Sequence, residues 1–79
     1  MLDFEPNAEV RLGSEVQMVL TEIENGSLDQ ADLAILDQKH SNLLFASTSL
    51  EQLGFPLSHH DQKRCNDALT KIVELSKRK

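Results

Sequence analysis

The chain has a single cysteine, Cys65, so no disulfide within it can staple the fold. A lone thiol fits a reducing compartment. Trp and Tyr are absent and there are only three Phe, which leaves little for stacking bases or for an aromatic cage around a cation. No uninterrupted apolar run exceeds four residues, as in LLFA at 43–46, which is far too short to cross a bilayer, so no membrane association is expected. The opening MLDFEPNAEV has neither a basic start nor an apolar stretch; no secretory signal is expected, and the expected location is the cytoplasm. Basic residues are also scarce, eight against thirteen acids, for a net charge of −5.

That charge is uneven. Residues 1–59 hold ten acids against Arg11 and Lys39, a balance of −8. Residues 60–79 hold three acids against six bases, a balance of +3. An acidic body argues against wholesale phosphate binding, because nucleic-acid binders carry a basic footprint. The basic end is suited to an acidic partner, or to the acidic body of a second copy.

Seventy-nine residues make one small domain, 1–79, which buries only about 60–65% of the surface its unfolded chain exposes. β-branched residues are few and apolar residues recur at steps of three and four, so the fold class is all-α. The expected helices run about 8–24, 28–53 and 59–76, with 1–7 irregular and a frayed basic tail at 77–79. The first starts either after Asn7 or at SEVQ, where Ser14 and Gln17 have capping-box spacing; Leu12, Val16, Val19, Leu20 and Ile23 form its stripe. Asn25-Gly26 ends it, since both residue types tolerate the left-handed conformation of a helix terminus.

SLDQ at 27–30 is a second capping-box pattern and predicts the start of the long middle helix. LGFP at 53–56 predicts its end: Gly54 takes positive φ, Phe55 folds back on the last turn, and Pro56 cannot continue the helix. Ser58 then caps the third helix. Short connections make antiparallel neighbours, so the expected architecture is a three-helix up-down-up bundle or a long helical hairpin with a third packed helix.

GFPLSHHDQKRCNDAL at 54–69 gathers His59, His60, Asp61 and Cys65 within seven positions. Helical ligands must stand three or four apart to share a face. Asp61 and Cys65 do, but His59 and His60 meet Lys63 and Arg64 at that spacing, and a structural zinc site needs paired ligands. Cys65 shares a stripe with Ala68, Leu69, Ile72 and Leu75 or Ser76, which makes it a small buried hydrophobe rather than a nucleophile. The segment reads as a helix start, with an exposed ladder of Arg64, Asp67, Lys71, Glu74 and Arg78 beyond it. No glycine-rich phosphate loop, H-E-x-x-H or nucleophile motif occurs elsewhere. Neither an enzyme, a metal nor a cofactor is expected.

The middle helix carries apolar residues over about half its circumference, against the ~100° stripe that one neighbour requires. A central position between two helices explains part of this. A partner interface on Leu33, Leu36, His40, Leu43, Leu44 and Leu50 would explain the remainder. The expected function is therefore a non-enzymatic helical interaction module of adaptor, chaperone or anti-activator type. It would bind a protein partner as a homodimer or heterocomplex. The alternative is a small DNA-binding regulator that uses the basic third helix.

Overall fold

A computed structural model describes residues 8–79, and the expectations for residues 1–7, including Asn7 as a cap, lie outside the described residues. Three helices, α1 (Ala8–Glu24), α2 (Leu33–Gln52) and α3 (His59–Lys77), all pack on one another, with no strand among the described residues. α1 runs unbroken through Gly13 and Ser14, so Ser14 is interior to the helix and caps nothing. Its end is a full Schellman closure. Gly26 stands at φ +82°, its N–H donates to Ile23 O, and the Ser27 N–H reaches back to Glu22 O.

The start of α2 corrects the expectation. The helix begins at Leu33 rather than 28, and Asp32 caps it by accepting from the Ile35 N–H at 3.0 Å. The Ser27 hydroxyl donates to Asn25 Oδ1 at 2.6 Å and takes no part in a capping box. The cause is tertiary. Leu28 is buried against Leu36, Ile72 and Leu75, at the end of the bundle where α1 gives way to α2. The chain reaches that site in tight turns, with Asp29 N donating to Gly26 O and Ala31 N to Leu28 O. α2 is thereby shortened to 20 residues, about 30 Å long.

Its other end follows the LGFP pattern. Gly54 lies at φ +92°, the Gly54 N–H donates to Glu51 O, and the Phe55 N–H donates to Leu50 O. The Phe55 backbone folds back while its ring stays half exposed. Ser58 then caps α3 by accepting from the Asp61 N–H at 3.2 Å. α3 continues to Lys77, one residue beyond the expected end.

The core has two parts. The larger joins Val16, Val19 and Leu20 of α1 to Leu43, Ala46 and Leu50 of α2 and to Cys65 and Ala68 of α3. The smaller is the Leu28 cluster. α2 thus lies against both other helices, and the inward side chains Leu36, Leu43, Ala46 and Leu50 account for only one sector of it.

Candidate docking surface

Leu36, Leu43 and Leu50 are at most 3% exposed. They belong to the core of the chain itself and cannot form the surface expected of them, because α1 and α3 close over that sector. Leu33 and Leu44 remain, each 48% exposed, with His40 half-buried between them. At about 100° per residue, Leu33, Asp37, His40 and Leu44 share the flank of α2 that borders α3. There His40 shares a recess with Val73 and Ser76, and Leu44 shares another with Leu69. The result is an apolar strip along the α2–α3 seam, with an imidazole at its middle.

The opposite flank of α2 carries a second apolar surface. An open groove of about 600 Å³ runs between α1 and α2, lined by Val10, Met18 and Phe45 with Ser14, Asn42 and Ser49 around them. Phe45 is 69% exposed, Val10 59% and Met18 50%. Arg11 and Glu15 are the charged residues of the lining. The sequence signal for this groove is registry: Val10 and Met18 fall off the α1 stripe, and Phe45 falls away from the leucines of α2.

The polar interactions hold helices to one another. The Arg64 guanidinium donates from Nε and Nη2 to the two carboxylate oxygens of Glu24, at 2.7 and 2.8 Å. Its Nη1 donates to Gln17 Oε1 and Asp61 Oδ1, both at 3.1 Å, and Gln17 Nε2 donates to Asp61 Oδ2 at 3.2 Å. This ring ties α1 to the start of α3. The hydrogen bond from Arg64 holds the Glu24 carboxyl below its ordinary value, and Glu24 pushes Arg64 above its own. Between α1 and α2, Lys39 Nζ lies 3.0 Å from Glu22 Oε1, an atom without a well-aligned hydrogen bond, so the contact is mainly Coulombic.

The expected ladder along α3 is therefore not made in the order drawn. Arg64 turns to Glu24 on α1 and to Asp61, while Asp67 pairs with Lys63 at 3.2 Å. As phosphate ligands, Lys63 and Arg64 would have to exchange these carboxylates. His59 and His60 are exposed on the first turn of α3. Cys65 is 2% exposed; burial pushes its thiol up, and a hydrogen bond with Ser47 partly offsets that. Among the described residues no three His, Cys, Asp or Glu side chains gather in a metal-binding arrangement. Likewise, no described helix is long and apolar enough to cross a membrane. Comparison with protein-family models, with curated proteins and with solved structures gives no significant match for this chain.

Proposed function

We propose that this chain is a non-enzymatic helical interaction module that docks a partner protein on the strip along the α2–α3 seam. The observation that carries the reading is the alignment of Leu33, Leu44 and Val73, all between 42% and 48% exposed, on one seam of a bundle whose core is already filled by other residues. An amphipathic helix with apolar residues at steps of three and four is the natural occupant of such a seam. Asp37, between Leu33 and Leu44, and Lys77 line the same recess as His40 and Val73, so a partner helix would set a polar or charged residue there and apolar residues on Leu33 and Leu44. An adaptor, chaperone or anti-activator works by such contacts and requires no reactive group.

The test is a folded surface variant. Leu44→Glu and Leu33→Glu change half-exposed residues outside the core, so both should keep the wild-type helical spectrum and stay folded at the assay temperature, with a melting temperature lowered by several degrees. A photo-cross-linking residue at position 44 of the otherwise wild-type protein should give one dominant adduct in its native lysate. The partner so identified should bind purified wild type and lose affinity for both variants. A folded Leu44→Glu that binds this partner as tightly as wild type would remove the strip from consideration.

A further inference from the structure

The α1–α2 groove is a separate surface from the partner strip, on the opposite flank of α2, and its residue pattern is self-complementary. We propose that it seats a second copy of the chain, in a two-fold dimer whose axis lies in the interface and passes beside α1 at the level of Ser14. Such an axis runs α1 antiparallel to α1 of the second copy and inverts the order of residues about position 14. Val10 then lies over Met18 of the second copy, and Met18 over Val10, so the two exposed apolar residues of α1 cover each other twice. Arg11 of one copy and Glu15 of the other come to lie about 3 Å apart along the helix direction, two residues of helical rise, so each Arg11 reaches Glu15 of the second copy. A guanidinium has five N–H donors and serves such a carboxylate without surrendering contacts inside its own chain.

The α2 side agrees. The Glu22–Lys39 contact fixes the level of α2 against α1, and by that antiparallel register Phe45 stands opposite residue 16, within two residues of the axis. The two Phe45 rings therefore meet near the centre of the interface, where an offset aromatic pair is favourable. Around Phe45, the outward positions of α2 are Gln38, Ser41, Asn42, Ser49 and Gln52, none of them charged. This matters for a chain of net charge −5, whose copies repel one another over most of their surface. The outward α2 positions oppose no like charges; on α1 the same inversion brings the two Glu15 within two residues of rise of each other, and the two Arg11 that flank them offset that repulsion. Isologous pairing requires a patch complementary to itself, and this one is.

Sedimentation of the wild-type chain at rising concentration tests the proposal, with a dimer of twice 8.9 kDa expected at high micromolar protein. Phe45→Glu should keep its helical spectrum, since the ring is mostly exposed, and sediment as a monomer. Arg11→Glu should also lose the dimer, whereas Arg11→Glu combined with Glu15→Arg should regain it, a recovery that general stickiness would not produce. Ser14→Cys gives a readout that does not depend on tolerance of a charge at 45. Placed on the axis, it should form a disulfide-linked dimer under mild oxidation, and Ser76→Cys on α3 should not. A wild-type monomer at high micromolar concentration overturns the proposal, whether the groove is empty or taken by another protein. So does a dimer that survives Phe45→Glu, or a charge swap that fails to restore pairing. Loss of the dimer leaves the partner strip intact, so Phe45→Glu should still bind the partner that Leu44→Glu loses.

Discussion

Leu43 and Leu44 are neighbours in sequence and opposites in environment, and replacing each by alanine measures which sector of α2 faces the core. Leu43 is fully buried among Val16, Val19 and Leu20 of α1 and Cys65 and Ala68 of α3. Leu43→Ala removes three carbons, each worth about 0.8 kcal/mol on burial. Incomplete collapse of the space adds about 24 cal/mol per Å³, so a residual void of roughly 40 Å³ contributes about 1 kcal/mol more. The expected loss is about 3 kcal/mol. A domain of this size has a total stability of roughly 4–12 kcal/mol, so much of it would be gone. In a melt, about 3 kcal/mol corresponds to a fall of roughly 12–24 °C.

Leu44→Ala removes the same three carbons from a side chain that is 48% exposed and leaves no internal void, so it costs about 1 kcal/mol. Urea and thermal unfolding followed by circular dichroism at low protein concentration give both values, and the low concentration keeps self-association from adding to either. Equal costs for the two variants, or a larger cost at Leu44, would mean that α2 is rotated from the facing described. A Leu43→Ala variant melting within a few degrees of wild type would likewise defeat the assignment of Leu43 to the core.

Three further outcomes are expected. Asp32→Ala should lose about 1 kcal/mol, since it removes the cap on the Ile35 N–H, while Ser27→Ala should stay within about 0.5 kcal/mol of wild type; the reverse order in urea melts would restore the longer helix. Gly54→Val should cost at least ~1 kcal/mol, because a β-branched residue resists a φ of +92° even though open space surrounds the Cβ, and an unchanged melting midpoint would contradict this. The Glu24 carboxyl, held below its ordinary 4.5 by Arg64, contributes stability that is fully present above 4.5 and is lost as the pH falls through its lowered folded value. The melting temperature should therefore drop in acid, and Arg64→Met should flatten that drop; a variant with an unaltered acid limb would show that the Arg64 ring is not the cause.

The features legible in sequence are those decided within a few residues. Gly54-Phe55-Pro56 and Asn25-Gly26 specify Schellman closures because positive φ and a missing N–H are local requirements, and Ser58 caps α3 for the same reason. The α3 stripe through Cys65, Ala68, Ile72 and Leu75 is also local, since one periodic face serves both parts of the core. Where two local signals compete, tertiary contact decides. Ser27 and Asp32 are both sound caps, and Asp32 prevails because burying Leu28 demands an irregular segment between them. Arg64 has Asp67 three residues ahead, yet it pairs with Asp61 three residues behind and with Glu24, forty residues away on α1.

The same limit governs the candidate surfaces. The breadth of apolar residues on α2 implies more than one neighbour, but periodicity alone does not say which leucines the chain keeps for itself. Leu36, Leu43 and Leu50 go to the core because α1 and α3 straddle their sector, and this leaves Leu33 and Leu44 on one margin and Phe45 on the other. Val10, Met18 and Phe45 each stand out of register in their own helix, and this much can be read from spacing. Their convergence on one groove depends on how far α1 and α2 slide past each other, a distance set by the Glu22–Lys39 contact and the packing of Val16 and Val19 on Leu43. An apolar residue off the stripe therefore marks a surface, and only the helix register shows which such residues form one.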